Sequence, residues 1–163
     1  MLPILLNKNI RAGLAGQGEA RARRQALLDG AQVETISVAS PEALTGLDVL
    51  FVAGLDDAAS GAFATAARAQ GVLVNVEDVP ELCDFHVPAI VRRGDLVLTA
   101  STGGKAPGLS RNVREWLETQ FGPEWDEHLE SLGEARANWR KEGLKPSEVS
   151  QRTRDYIARE GWL

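Results

Sequence analysis

Two short stretches hold residue types that could do chemistry. In Asn75-Val76-Glu77-Asp78, carboxylates follow the apolar run Val72-Leu73-Val74. In Ser101-Thr102-Gly103-Gly104-Lys105-Ala106-Pro107, a Gly-Gly turn and a lysine follow Leu96-Val97-Leu98-Thr99-Ala100 and stand at the mouth of a helix. Ahead of both lies a Gly-rich turn, Gly16-Gln17-Gly18-Glu19-Ala20. A nucleotide turn, a strand-end acid and an anion-ready helix start are what hydride transfer with an acidic substrate requires.

A dinucleotide needs a tight turn, close backbone approach to its pyrophosphate and a helix N-terminus aimed at it. Gly16 and Gly18 meet the first two needs; the third glycine of the usual fingerprint falls at Arg21. The next strand ends Ser37-Val38-Ala39-Ser40, with neither an acid for a ribose hydroxyl nor an arginine for a phosphate. Ala39 and Ser40 are the expected ribose neighbours. Asp78 lies at a strand's C-terminal end, the rim where open α/β sheets bind ligands, and there a carboxylate can accept a proton. The competing reading of Asp78 is a turn or N-cap aspartate before Pro80. Asp56 and Asp57 read as helix-start acids. His86, just before the hairpin, reads either as facing the cleft or as a structural histidine, and His128 reads as a surface residue. No metal-ligand spacing is present, and Cys83 has no base beside it in sequence. No metal site is expected.

These residues need elements to hold them. Strand and helix alternate through residue 76: strands over 11–16, 32–38, 48–53 and 72–76, with helices over 19–29 and 56–70 between them. Gly30 and Gly71 are the expected helix stops. That alternation means a parallel sheet with right-handed crossovers. Two strand-like runs, 87–92 and 96–100, then flank Arg93-Gly94-Asp95, a hairpin signal. From Pro107 onward the pattern is helical, with Leu109, Val113, Trp116 and Leu117, then Trp125, Leu129, Leu132 and Trp139, at helical spacing. The tail's tryptophans read either as a local core or as a dimer face. The fold expected is α/β: a Rossmann-like parallel sheet (1–80), a hairpin connection and dimerisation segment (81–104) and a helical dimerisation tail (105–163).

The chain of 163 residues carries 18 basic and 23 acidic residues, a net charge of −5 that argues against nucleic-acid binding. Its single cysteine excludes an internal disulfide framework. No apolar run approaches the ~20 residues of a membrane span, and no signal-peptide pattern opens the chain. The expectation is a soluble cytoplasmic protein.

Residues 1 to about 120 resemble the precorrin-2 dehydrogenase/sirohydrochlorin ferrochelatase family, the dehydrogenase module of siroheme synthases. The resemblance is carried by Leu2-Pro3-Ile4, Gly16-x-Gly18-Glu19-Ala20, Asn75-Val-x-Asp78, Phe85-x-x-Pro88-Ala-Ile90 and Ser101-Thr-Gly-Gly104-x-x-Pro107. It implies NAD-dependent oxidation of precorrin-2 to sirohydrochlorin, with iron insertion as a second activity. Asp78 matches the family's essential aspartate. Gly16, Gly18, Glu19, Ala39 and Ser40 match the cofactor-binding positions. Asn75, Thr102, Gly103, Gly104 and Lys105 fall where a tetrapyrrole rich in carboxylates is bound. The family also implies a homodimer built with the helical tails. Two departures stand out. The family's Gly-Gly-Gly turn is Ala15-Gly16-Gln17 here, and no methyltransferase domain follows, so a stand-alone module is expected. The altered turn leaves a rival reading, a non-catalytic Rossmann-like protein that holds a tetrapyrrole or nucleotide. A third reading is an NADP-dependent reductase of another small acid.

Overall fold

The computed structural model describes residues 4–7 and 9–163, so Leu2 and Pro3 of the resemblance lie outside the described residues. The chain divides into two units, one running to Val87 and the other Pro88–Leu163.

In the first unit, β1 (Ala12–Gly16), β2 (Thr35–Val38), β3 (Val49–Ala53) and β4 (Leu73–Val76) form a parallel sheet in the order β2-β1-β3-β4. All five residues of β3 are buried, as an apolar central strand demands. Helix α1 (Gly18–Gly30) leads from β1 to β2, and α2 (Asp57–Ala69) leads from β3 to β4. The two connections run to opposite sides, so the sheet's switch point lies between the C-terminal ends of β1 and β3. One core holds Ala12, Leu14, Val49 and Phe51 with Leu28 of α1. The other holds Ala15, Leu50, Val52, Val74 and Val76 with Phe63, Ala64 and Ala67 of α2. Asp56 caps α2 as its residue type predicts, accepting from the Ala59 N–H at 2.8 Å.

Gly30 does not serve as the left-handed stop expected of it. It is the last residue of α1, and the positive φ (56°) falls on Gln32. There the Val33 N–H returns to the Leu28 carbonyl (3.0 Å) and closes the helix end. The first unit also runs past residue 80. A 3₁₀ turn at Pro80–Leu82 brings the chain back along β4, where the Asp84 N–H donates to the Val74 carbonyl at 2.8 Å.

In the second unit, β5 (Ala89–Arg93) and β6 (Leu96–Ala100) make an antiparallel hairpin, followed by α3 (Pro107–Gln120), α4 (Trp125–Lys141) and α5 (Pro146–Glu160). Hairpin and helices belong to this one unit: Arg93 Nε donates to the Phe121 carbonyl at the end of α3 (2.7 Å). Trp125 and Trp139 build a local core with Phe121, Tyr156 and Trp162. His128, expected on the surface, is half-buried and stacks on Trp162 at 4.3 Å. Its helix face is fixed by a tryptophan far along the chain, which local polarity does not reveal. Trp116 is left exposed with Leu109 and Val113 along α3. Among the described residues, no helix is long and apolar enough to cross a membrane.

Candidate functional site

The glycines of the β1–α1 turn have different reasons to be glycine. Gly16 has φ +131°, and a Cβ on it would lie 1.8 Å from the Ala53 carbonyl oxygen. The Gln17 N–H donates to that same oxygen at 3.2 Å. Gly54 is held equally close from β3: its Cβ would meet the Gln17 carbonyl oxygen at 2.2 Å. The turn is thus locked onto the end of β3. Gly18 has φ +67°, and a Cβ on it would find nothing within 4 Å, so its outer face is open. Gln17, the residue before α1, makes no side-chain cap. The first N–H groups of α1 therefore remain for an anion, and the open Gly18 allows it to approach the backbone. This cradle fits a dinucleotide's pyrophosphate. Glu19 is exposed in the first turn of α1, 3.9 Å from Arg23.

Beyond β2, Ala39 is exposed and Ser40 half-buried. The Ser40 carbonyl accepts from the Ala43 N–H at 3.1 Å, closing a turn through Pro41 and Glu42. The Ser40 hydroxyl bonds the Glu42 carboxylate and holds its pKa below the ordinary range. The acid missing from β2 itself therefore stands two residues after Ser40. Sequence reasoning passes over it because it lies outside the strand; a Ser-Pro-Glu turn directly after β2 is the available signal. Arg21, at the third fingerprint position, donates from Nη2 to the Ser37 hydroxyl at 3.2 Å.

Asp78 follows β4 by two residues. It is exposed and takes the left-handed conformation, φ +62°, which is uncommon for a residue with a Cβ. The Glu77 N–H donates to the Val52 carbonyl at 2.9 Å and pins this turn to β3. The residue follows the C-terminal end of β4, and in this parallel sheet the β1–α1 turn follows the same end of β1. Asn75, expected to meet substrate, is only 5% exposed, and its amide donates to the Phe85 carbonyl at 2.9 Å. It orders the chain after Asp78. His86 is exposed. Among the described residues, no three His, Cys, Asp or Glu side chains gather as a metal site.

In the second unit, Thr102 organises its own turn. Its hydroxyl accepts from the Ala106 N–H at 3.1 Å and meets the Ser110 hydroxyl at 3.2 Å. Its carbonyl accepts from the Lys105 N–H at 3.2 Å. Gly103 and Gly104 have φ of +63° and +82°, consecutive left-handed residues that explain the glycine pair. Lys105 is exposed and, among the described residues, has no ion-pair partner. The loop therefore offers a cation over a rigid turn.

Comparison with known proteins bears on this cradle. Residues 7–89 match the family described as "Putative NAD(P)-binding". Siroheme synthase of Methylococcus capsulatus is 35% identical over 142 residues, covering 72% of this chain and 30% of that protein. Siroheme synthase of Methylobacillus flagellatus is 37% identical over 143 residues, with the same coverage. The chain thus spans 30% of the length of these relatives. A solved structure titled SirC, precorrin-2 dehydrogenase, shares the fold at a TM-score of 0.76 and 21% identity, covering 96% of this chain and 89% of that one.

Proposed function

We propose that this chain, which belongs to the NAD(P)-binding family matched over residues 7–89, is an NAD-dependent dehydrogenase that oxidises precorrin-2 to sirohydrochlorin. The observation that carries the reading is Asp78: an exposed carboxylate in a left-handed turn on the rim that also bears the open Gly18. Its support from relatives is the likeness to siroheme synthases and to the SirC fold.

The oxidation removes a hydride from one carbon of the tetrapyrrole and a proton from the macrocycle. When bound, the dinucleotide supplies the hydride acceptor. Gly16, Gly18 and Glu19 hold its pyrophosphate end, and Ala39 and Ser40 its ribose. A carboxylate oxygen of Asp78 takes the proton, a transfer that contributes about 10²- to 10⁴-fold to rate in enzymes generally. Thr102, Gly103 and Gly104 shape a loop on which Lys105 attracts the carboxylates of the substrate. Asn75 serves the substrate through Phe85, whose carbonyl it holds.

Glu42 favours NAD over NADP, because a carboxylate beside the ribose repels a 2′-phosphate. Arg21 acts in the opposite sense, with one of its donors engaged by Ser37. Glu42→Gln is expected to raise kcat/KM for NADP relative to NAD; an unchanged ratio rejects this role.

The proposal includes a homodimer, supported by the exposed stripe Leu109, Val113 and Trp116 on α3. It also includes a cytoplasmic setting, which suits a thiol retained as a hydrogen-bonding group at Cys83. The deciding experiment follows the absorbance of precorrin-2 mixed with purified protein and NAD. Turnover that disappears in Asp78→Asn supports the reading. Binding of NAD and tetrapyrrole without conversion supports the carrier reading, which the altered glycine turn favours.

A further inference from the structure

Asp78 belongs to a four-residue turn, Val76 to Val79, that closes loosely by itself. The Val79 N–H donates to the Val76 carbonyl at 3.4 Å, which is long for such a bond. Asp78 is the third residue of the turn and is left-handed, at a position where glycine or asparagine is usual. A side chain with a Cβ held there stores strain, and the surrounding structure must supply the restraint. On one side the restraint is the bond from the Glu77 N–H to β3.

On the other side it is Cys83, whose half-buried thiol meets both ends of the turn. The sulfur accepts from the Val76 N–H at 3.2 Å. It lies 3.1 Å from the Val76 carbonyl oxygen and 3.4 Å from the Val79 carbonyl oxygen. The single S–H proton is shared between these two carbonyls. The buried Asn75 amide reaches the same sulfur at 3.5 Å and donates to the Phe85 carbonyl at 2.9 Å. The end of β4 and the returning chain are thus joined across the base of the loop that carries Asp78. Sulfur suits this place. Its long bonds let one atom touch both ends of the turn, whereas a hydroxyl on a shorter bond serves one end at a time.

We propose that Cys83 is a positioning residue for the oxidation: by bonding Val76 and Val79, its thiol keeps the Asp78 turn closed and the Asp78 carboxylate where it meets the reacting tetrapyrrole. This rests on the assignment of Asp78 as proton acceptor. Proton transfer requires hydrogen-bond reach, and a misplacement of about 1 Å can cost on the order of 100-fold in rate. The dinucleotide is held at a different turn, so its binding does not depend on the thiol.

The test uses the full chain with NAD and precorrin-2, at a temperature where circular dichroism shows the variants folded. It compares Cys83→Ala, Cys83→Ser, Asp48→Asn and Asp78→Asn. Cys83→Ala is expected to lose about tenfold or more in kcat, with the substrate KM and the NAD dissociation constant within about twofold of the parent. Cys83→Ser keeps a donor and an acceptor and should lose no more than about threefold. Asp48→Asn weakens the bonds to Arg11 at the opposite end of the sheet and should keep full kcat. Full kcat in Cys83→Ala overturns the proposal. So does a serine variant as impaired as the alanine one, or a loss expressed mainly in KM or NAD affinity. An equal loss in Asp48→Asn overturns it too, because general loosening of the sheet then accounts for the effect. Should Cys83→Ala fail to fold, Cys83→Val, which fills the space without hydrogen bonds, overturns it equally by keeping full kcat. If Asp78→Asn keeps its rate, the functional assignment fails and takes this proposal with it. If Asp78→Asn is inactive while Cys83→Ala is not, only the role of Cys83 is lost.

Discussion

The Cys83 thiol closes on both backbone polar groups of Val76, accepting from its N–H at 3.2 Å and donating to its carbonyl at 3.1 Å. Val76 ends the edge strand of the sheet, two residues before Asp78. One strand position earlier, the Asn75 amide reaches the Phe85 carbonyl, and before that Asp84 accepts from the Val74 N–H at 3.0 Å. Residues 83–85 thus do for β4 what a fifth strand would do, and they cover an edge that would otherwise be open to pairing.

Removing the thiol leaves the Val76 groups without this partner. Cys83→Ala is expected to lower unfolding free energy by about 1–3 kcal/mol, the usual cost of a buried polar group left unpaired. Urea denaturation monitored by far-ultraviolet circular dichroism, which reads the sheet unit as well as the tryptophan-bearing one, measures it. A midpoint equal to the parent's shows that the thiol contributes nothing to the edge.

Asp84 allows two kinds of bond to be compared on one side chain. One oxygen meets Arg68 Nε at 2.9 Å on a partly exposed surface, and the other caps Val74. Arg68→Ala should cost no more than about 1 kcal/mol, as surface pairs do. Asp84→Ala should cost about 1–3 kcal/mol because the strand N–H loses its acceptor. Equal losses in chemical denaturation contradict this division.

Arg11 and Asp48 tie the starts of β1 and β3. Asp48 accepts from Arg11 Nε and the Arg11 N–H on one oxygen, and from Nη2 at 2.7 Å on the other. The side-chain bond from Arg11, followed by the backbone bond, lowers the Asp48 pKa from 3.8 to about 2. The folded state therefore binds this proton less readily than the unfolded chain. The stability it contributes is complete above pH 3.8 and is lost as pH falls through about 2. Unfolding midpoints measured across that range should fall less steeply for Asp48→Asn. Parallel curves remove the pair from acid stability.

The two glycines of the first turn should respond differently to a methyl group. Gly16→Ala forces a Cβ toward the Ala53 carbonyl, 1.8 Å away, and is expected to destabilise by about 3 kcal/mol or more. Gly18→Ala meets no atom, so only its left-handed backbone costs, about 1 kcal/mol. That variant should fold and still bind NAD less tightly, since the methyl occupies the open face. Thermal unfolding and an NAD titration read both effects. Undiminished NAD affinity in Gly18→Ala rejects a cofactor at that face.

The left-handed Asp78 makes a third comparison possible. Glycine adopts this conformation freely but gains freedom in the unfolded chain, so Asp78→Gly should lie within about 1 kcal/mol of the parent in stability. A β-branched side chain tolerates it poorly, and Asp78→Val should lose about 1–2 kcal/mol. Neither should oxidise precorrin-2. If glycine and valine prove equally stable, the turn relaxes and the strain argument fails.

Local features of this protein are legible along the chain. Strand and helix periods place four parallel strands, the hairpin and the helices. The unbroken run of β3 announces a strand covered on both faces, Asp56 announces a cap, and Gly71 a left-handed helix stop, which it is at φ +72°. Each of these signals lies within a few residues of what it specifies, and each is written in hydrophobic spacing or a cap's own side chain. Folding in three dimensions settles the rest. Asn75 reads as a rim residue and is a buried post, because Phe85 returns to it ten positions later. His128 reads as solvated and joins the tryptophan core. Arg23 and Arg24 look alike, and only the orientation of α1 on β3 sends one to water and the other onto Phe51. Pairings of this kind depend on where distant segments come to rest, and no spacing along the chain encodes that position.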